Sequence, residues 1–382
     1  MSPSHRPVVG LVALLLLPLF GAAAASKPAQ GPLRIHPENS RYFTDGTKRP
    51  DGSLIAVYLT GSHTWANLID RGPADPPPAF DFAAYLDLLE QHHHNFIRLW
   101  GRQVGVSNEG QDSSREWQYH LIRFIHEYEA GKAKQHPVGM IAVGSGDAES
   151  NRALSASPAE WISPHTDAWG GVRNVPAANG AKVSLLDSDH WFLVDLYNNP
   201  ALGREWVWKA FCRGHNPILM EHLPPQSMVL KDCPLTPDDT GYVASRRAMG
   251  QTWGLAARMN LAAMSPRGDL ASSGYCLADP GKEYCVYVSG GGEVTVDLSA
   301  ASGPLAVEWI RPVEGTVTSR EPIAGGAKRS LRIPFAGDAV LHLRTQKSGP
   351  EARHGHEASF LEGLATALEP APWTASADHF EK

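Results

Sequence analysis

The strongest constraint on the fold is a strand–helix–strand pattern in the first third of the chain. Residues 54–59 form a continuous apolar run, which is typical of a strand that is buried on both faces, and a second buried strand is predicted at residues 96–100. Between these segments, apolar residues recur at helical spacing over residues 82–89, directly after Asp81, a residue type that caps helices. Two buried strands joined by a helix predict a parallel sheet with helices packed on its faces.

This alternation continues to residue 260. One helix is predicted to start at a capping box formed by Ser113 and Glu116. We expect the apolar side of that helix to face the core, and it is formed by Trp117, Leu121, Phe124, Ile125 and Tyr128. Further strands are predicted at residues 104–108, 138–143, 161–163, 182–186 and 217–220, and further helices at residues 205–213 and 243–259.

From Leu270 onward the apolar pattern changes to a period of two. Strands are predicted at residues 274–277, 283–288, 293–298, 306–310 and 340–343, separated by turn residues. This pattern is typical of an antiparallel β-sandwich, here at residues 264–345, following an α/β domain at residues 32–260. Residues 346–382 are polar and rich in His, Ala and Pro, and we expect a disordered tail.

Residues 1–25 have the pattern of a signal peptide. His5 and Arg6 precede an apolar run at residues 8–20, and small residues at 22–25 form a cleavage site. The alternative, a membrane anchor, is disfavoured because the run is too short to span a bilayer. The sequence therefore predicts a secreted or periplasmic protein without a membrane contact after cleavage.

Composition excludes some partners and ligands. The net charge is −6 and Lys and Arg form no basic stripe, which argues against nucleic acid as a partner. The sequence has no cysteine spacing typical of zinc sites. His92, His93 and His94 are consecutive, so on a helix they point in different directions and do not form one metal site. We expect no metal and no cofactor, and the oligomeric state stays open.

Carboxylates follow two of the predicted strands. Asn108 and Glu109 end the strand at residues 104–108, and Asp187 and Asp189 follow the strand at residues 182–186. The carboxyl ends of parallel strands are where barrel enzymes keep their active sites, and glycosidases need two carboxyl groups across the scissile bond. The alternatives are a helix N-terminal acid for Glu109 and a simple turn beginning at Asp187.

Several stretches resemble the secreted bacterial apiosidase-like glycoside hydrolases, whose C-terminal domain carries a collagen-binding label. The matching stretches are residues 34–39, 58–65, 95–100, 107–109, 116–120, 186–190 and 259–264. The resemblance implies a (β/α)₈ TIM barrel with Glu109 as the acid/base after the fourth strand and Asp187 or Asp189 as the nucleophile after the seventh strand. The substrate would be a polysaccharide or its side chains. The residues expected to bind it are His63, Trp65, Arg98, Trp100, Asn108 and His190.

The sequence departs from this pattern between the second strand, at residues 96–100, and the strand at residues 104–108. Only three residues separate Trp100 from Val104, whereas a parallel connection needs a dozen or more. We therefore expect a barrel that lacks about one β/α unit, opened beside the second strand. The first functional hypothesis is a retaining glycoside hydrolase. The alternatives are a catalytically dead carbohydrate-binding protein and a matrix-binding protein on the same scaffold.

A disulfide in the C-terminal domain is a further possibility. Folding the chain about a turn at residues 279–282 places Cys276 opposite Cys285, within the distance that a disulfide accepts. The alternative is two free thiols packed as small apolar side chains.

Overall fold

The computed structural model describes residues 32–64, 75–76, 79–98, 115–141, 148–165, 172–188, 196, 198–221 and 240–345. Within these residues the fold combines one parallel sheet and its helices with antiparallel sheets. No helix in this part of the chain is long and apolar enough to cross a membrane. The predicted signal peptide and the predicted disordered tail lie outside the described residues.

The first half of the described structure is built around a five-stranded parallel sheet. Its strands are β3 (Gly61–His63), β4 (Gly139–Ile141), β5 (Trp161–Ser163), β6 (Val183–Asp187) and β7 (Asn216–Met220), in the order β3-β7-β6-β5-β4. A short antiparallel pair, β1 (Arg34–Ile35) and β2 (Phe43–Thr44), precedes it. The predicted parallel sheet is confirmed, and the predicted strand at residues 104–108 lies outside the described residues.

Five helices accompany the sheet in the described part. They are α1 (Phe82–Gln91), α2 (Arg115–Glu129), α3 (Ala148–Ala156), α4 (Pro200–Cys212) and α5 (Thr240–Ala256). Asp81 caps α1 as predicted, since its Oδ1 accepts a hydrogen bond from Ala84 N at 2.9 Å. The predicted stop after α4 is also confirmed, because Gly214 has a φ of +76°, a left-handed conformation that favours glycine.

The strand predicted at residues 54–59 is displaced toward the C-terminus, and the first parallel strand is β3. The reason is that the two backbone amides just before β3 donate hydrogen bonds to side chains and not to a neighbouring strand. Leu59 N donates to Asn216 Oδ1 at 3.0 Å, and Thr60 N donates to Asn95 Oδ1 at 3.0 Å. The predicted second strand is irregular over its described residues 96–98. The segment nevertheless runs beside β3, since Asn95 N donates to Thr60 O at 3.0 Å.

The predicted orientation of α2 is wrong. Trp117, Leu121, Phe124 and Tyr128 were expected to face the core, but they are exposed to 43%, 40%, 55% and 63%. Ile122, on another side of the helix, is the residue that is buried, at 4% exposure. Ile122 packs in a core cluster with residues of β4, α3 and β5. The apolar stripe predicted correctly that α2 is amphipathic, but most of the stripe faces solvent.

This orientation gives a stability prediction with a built-in control. We expect Leu121→Gln to change the free energy of unfolding by less than about 0.5 kcal/mol, because the side chain is already largely in water. Ile122→Ala, one residue further along the same helix, should cost about 2–4 kcal/mol because it opens a cavity in the core. Urea denaturation of both variants measures this difference. Equal losses would show that the stripe is packed in solution.

The C-terminal half forms two antiparallel sheets. The larger sheet has the order β13-β12-β15-β10-β9-β8 and the smaller one pairs β11 with β14. The strands are β8 (Ser265–Pro266), β9 (Cys276–Asp279), β10 (Glu283–Val288), β11 (Glu293–Asp297), β12 (Pro304–Arg311), β13 (Thr316–Ala324), β14 (Lys328–Arg332) and β15 (Ala339–Thr345). The strands β13 and β14 were not predicted, because they are mostly exposed and polar.

The central strands of the larger antiparallel sheet are buried on both faces. One face shares a core with the two-stranded sheet, including Val286, Val294 and Leu341. The other face joins the helices of the parallel sheet in one continuous core, in which Leu277, Tyr287 and Val340 lie with the residues of α4 and α5. Burial on both faces explains why residues 284–288 of β10 and 339–343 of β15 are buried without a break instead of alternating between buried and exposed.

The predicted pairing of Cys276 with Cys285 is wrong by one residue. The turn is present, since Lys282 N donates to Asp279 O at 2.9 Å. However, Cys285 lies opposite Leu277, and Cys276 lies opposite Val286. Because side chains alternate along a strand, this register places the two cysteines on opposite faces of the sheet, and both are free thiols.

A buried histidine links two glutamates at the centre of the large sheet. His342 is 1% exposed, and its ring nitrogens lie 2.8 Å from Glu283 Oε1 and 3.1 Å from Glu308 Oε2. Burial alone would lower the pKa of His342, but the hydrogen bonds to Glu283 and Glu308 outweigh it and raise the pKa. For Glu308, burial alone would raise the pKa, but the hydrogen bond to His342 and the charge of Arg258 outweigh it and lower the pKa to about 2.

The raised pKa of His342 predicts a pH dependence of stability. The charged imidazolium is favoured in the folded state, so its stabilisation is fully present below the unfolded pKa of about 6.5 and is lost as pH rises through the folded value. As the pH rises from about 6.5 through the folded pKa of His342, we expect the free energy of unfolding of the wild type to fall relative to that of His342→Gln. Urea titrations at several pH values measure both curves, and parallel curves would contradict the prediction.

Candidate active site

Three neighbouring strands of the parallel sheet end in ionisable side chains. His63 is the last residue of β3, Asp187 is the last residue of β6, and Glu221 directly follows β7, which lies between them. All three are buried, with exposures of 0%, 4% and 5%. Because the strands are parallel, their carboxyl ends meet at one edge of the sheet, and this edge is the candidate active site.

Asp187 is the centre of a three-residue cluster. His63 Nε2 lies 3.3 Å from Asp187 Oδ1, and Arg98 Nη1 donates a short hydrogen bond to Asp187 Oδ2. Both carboxylate oxygens are therefore engaged, and the guanidinium places a positive charge directly beside them. The sequence singled out all three residues, and the structure brings them together.

The backbone around Asp187 is fixed by its neighbour Ser188. Met220 N donates to Ser188 Oγ at 2.8 Å, and Ser188 N donates to Ile218 O at 3.0 Å. These bonds extend the pairing of β6 with β7 by one residue beyond the ladder. They hold the carboxyl end of β6 where Asp187 meets Arg98 and His63.

Glu221 is a buried carboxylate that the sequence reasoning missed. Arg246 of α5, which is fully buried, donates from Nε to Glu221 Oε1 at 2.7 Å and from Nη2 to Oε2. The available signal was a charged residue immediately after the apolar residues of β7, near the carboxyl end of a strand like His63 and Asp187. The bidentate ion pair ties the end of β7 to α5.

His94 supports β3 in a single tautomer. Ser62 N donates to His94 Nδ1 at 3.2 Å, so Nδ1 carries no proton, and Nε2 donates to Arg246 O at 3.2 Å. Burial lowers the pKa of His94 to about 3, so the ring stays neutral. Tyr85 of α1 also holds this strand, because its hydroxyl donates to Ser62 O at 2.9 Å.

The remaining predicted site residues lie outside the described part of the chain. They are the expected acid/base Glu109, the alternative nucleophile Asp189, and the expected sugar-binding residues Trp65, Trp100, Asn108 and His190. Their roles stay predictions, as do those of His63 and Arg98 toward sugar hydroxyls. Among the described residues, no group of three or more His, Cys, Asp or Glu side chains is arranged to hold a metal ion.

The described cluster is suited to reactions that need an oriented carboxylate. Asp187 is largely shielded from water, and His63 and Arg98 each contact one of its two oxygens. Nδ1 of His63 is buried without a hydrogen-bond partner among the described residues. If Nε2 donates to Asp187, this Nδ1 is an acceptor that fits a hydroxyl donor.

Comparison with known proteins supports the fold. No protein-family model and no curated protein sequence matches the chain. Among solved structures, one described as a glycoside hydrolase is similar with a TM-score of 0.53 and 12% identity, over 84% of this chain and 98% of that chain. A glycoside hydrolase family 5 protein from Bacteroides vulgatus has a TM-score of 0.49 and 13% identity, over 88% of this chain and 98% of that chain. A maltogenic alpha-amylase from Thermotoga neapolitana has a TM-score of 0.31 and 10% identity, over 68% of this chain and 74% of that chain.

At these identities the first similarity concerns the fold alone, and the other two are too weak to support an argument. The apiosidase-like family and the collagen-binding label therefore stay expectations from the sequence. Taken with the parallel sheet and the antiparallel sheets that follow it, the comparison shows that this chain has the fold of a solved glycoside hydrolase, with a TIM-barrel-like domain.

Proposed function

We propose that this protein is an exported glycoside hydrolase that cleaves O-glycosidic bonds of a polysaccharide or its side chains with retention of configuration. Asp187 attacks the anomeric carbon, and Glu109 protonates the leaving oxygen and later activates water. The observation that carries the proposal is the position of Asp187, buried at the carboxyl end of a parallel strand with both oxygens held.

The contacts of Asp187 fit a nucleophile. A carboxylate that attacks carbon must be ionised and correctly oriented, and Arg98 supplies both a positive charge and a directional hydrogen bond. His63 fixes the second oxygen, so the carboxylate does not rotate away from the sugar. The low solvent exposure limits competing hydration of the charge.

His63 has a second role in this proposal. A buried polar atom without a partner costs about 1–3 kcal/mol, so a functional explanation is expected for the free Nδ1. A sugar hydroxyl that donates to this atom would satisfy it and would place the ring next to Asp187. This arrangement agrees with the sequence-based expectation that His63 binds a hydroxyl.

The proposal is tested by trapping the intermediate. The full chain is incubated with a panel of 2-deoxy-2-fluoro glycosides that carry a good leaving group, and the labelled peptide is identified by mass spectrometry. We expect the sugar to be attached to Asp187. Attachment to Asp189 would move the nucleophile by two residues, and attachment to Glu221 would overturn the assignment of this cluster.

Azide rescue tests the same residue by a route that does not need a stable intermediate. In Asp187→Ala, azide should occupy the space of the carboxylate and restore cleavage of an activated aryl glycoside. The product should be a glycosyl azide of inverted configuration, because only one displacement then occurs. Rescue of wild-type-like retention, or no effect of azide on a folded variant, would count against a nucleophilic role.

A second candidate function is carbohydrate binding without turnover. The observation that favours it is the connection of only three residues between Trp100 and Val104, which leaves no room for one unit of the barrel. Isothermal titration with oligosaccharides distinguishes the two functions. Saturable sugar binding with no hydrolysis and no labelling of Asp187 would select the binding protein.

A further inference from the structure

Two thiols meet where the parallel-sheet domain packs on the antiparallel sheet. Cys212 is the last residue of α4, and Cys285 lies on β10. The Sγ of Cys212 donates to the backbone oxygen of Cys285 at 3.8 Å, and both side chains are fully buried. They belong to the single core that joins α4 and α5 to the sheet.

The strand register decides which cysteine faces α4. Cys285 lies opposite Leu277, and both are in the core shared with the helices. Cys276 lies opposite Val286, and both are in the core on the other side of the sheet. The neighbour of Cys285 in space is therefore Cys212, although Cys276 is much closer along the chain.

We propose that Cys212 and Cys285 form a disulfide that covalently joins α4 of the parallel-sheet domain to β10 of the antiparallel sheet when the protein folds in an oxidising compartment. This inference rests on the proposed export of the protein but not on the hydrolase activity, since neither thiol belongs to the candidate active site.

The oxidant is a low-molecular-weight disulfide such as glutathione disulfide. One cysteine thiolate attacks a sulfur of glutathione disulfide, which breaks that S–S bond and releases one glutathione thiol. The second cysteine then attacks the mixed disulfide and releases the second glutathione. The two cysteines lose two protons and two electrons, and one glutathione disulfide is reduced to two thiols.

The surroundings indicate when this step occurs. The hydrogen bond with Cys212, as the main cause, and burial, as the second, raise the pKa of the Cys285 thiol well above its usual range. Little thiolate therefore exists in the folded protein. We therefore expect the bond to form during folding, before the interface closes. Once formed, it is shielded from reductants by the surrounding core.

The test maps the disulfide in the unreduced protein. The full chain is refolded from the reduced state in a glutathione redox buffer, free thiols are blocked with iodoacetamide, and the protein is digested with trypsin. Lys and Arg residues separate all four cysteines. The cysteine peptides span residues 210–213, 232–246, 268–282 and 283–320.

We expect one linked species, made of peptides 210–213 and 283–320, with Cys276 carbamidomethylated. A link of Cys285 to Cys276 or Cys233 would overturn the proposal, and so would four alkylated cysteines. Protein isolated from an oxidising compartment, without refolding, is mapped in the same way and must give the same result.

Thermal unfolding measures what the bond does. The oxidised protein should have a Tm higher than the reduced protein by roughly 5 °C or more, because the link closes a long loop. In Cys285→Ser the Tm should no longer depend on reductant. Cys276→Ser, which removes an equally buried thiol from the opposite face of the sheet, should keep the dependence. If the Tm of Cys285→Ser still depends on reductant, the stabilisation comes from a disulfide between other cysteines.

Discussion

Replacing Asp187 with Asn is expected to lower kcat by at least about 10³-fold on any glycoside that the wild type cleaves. The amide keeps the shape of the side chain and still accepts a hydrogen bond from Arg98, so the change removes mainly the nucleophilic charge. The measurement is a steady-state assay with an activated aryl glycoside, accompanied by circular dichroism to verify the fold.

A matched control separates this effect from a general loss of charge. Asp51 is an exposed loop residue whose carboxylate accepts a hydrogen bond from Ser53 Oγ at 2.6 Å. Asp51→Asn should retain wild-type kcat and KM. A folded Asp187→Asn variant with more than a tenth of wild-type activity would eliminate Asp187 as the nucleophile and direct attention to Asp189.

Removing one partner of the buried Glu221–Arg246 pair should cost about 3–5 kcal/mol of folding free energy. In Glu221→Ala, the buried guanidinium of Arg246 loses the carboxylate that it contacts with two hydrogen bonds. Urea unfolding of the full chain, followed by tryptophan fluorescence, measures the loss. The double variant Glu221→Leu with Arg246→Met should recover most of it, because no unpaired charge remains.

An exposed ion pair in the same protein provides the comparison. Arg267 and Asp269 form an ion pair at 2.7 Å with side chains exposed to 38% and 62%. Asp269→Ala should cost less than about 1 kcal/mol, since water replaces the lost contact. Similar losses for Glu221→Ala and Asp269→Ala would mean that the buried pair is hydrated in solution.

Short-range features of this fold could be predicted from the sequence. The cap at Asp81, the stop at Gly214 and the strand Trp161–Ser163 follow from residues that are neighbours in the chain. The position of Asp187 at the end of a buried strand belongs to the same class, because an apolar run followed by a carboxylate is visible without any tertiary information. These features depend on local backbone preferences and on side-chain periodicity.

The candidate site was only partly predictable. The sequence singled out His63, Arg98 and Asp187 separately, but the contact of the other two side chains with the one carboxylate of Asp187 needs the strand order β3-β7-β6. Glu221 was missed because a single acidic residue after a strand gives no sign of its partner, and Arg246 is 25 residues away in α5. Burial of that pair is decided by the packing of α5 on the sheet.

The sequence by itself determined the classes of structure: a parallel α/β domain, then antiparallel strands, with amphipathic α2 and a turn before Glu283. The tertiary structure decided which face of each strand and helix is covered by other elements. Lys282 stays out of the pairing with β9 because its carbonyl oxygen accepts a hydrogen bond from Thr345 N at 2.8 Å, and this one residue turns Cys285 away from Cys276 and toward Cys212. Side chains alternate along a strand and rotate around a helix, so periodicity defines two faces but not which of them is covered. Only the packed neighbours, distant in sequence, settle that choice.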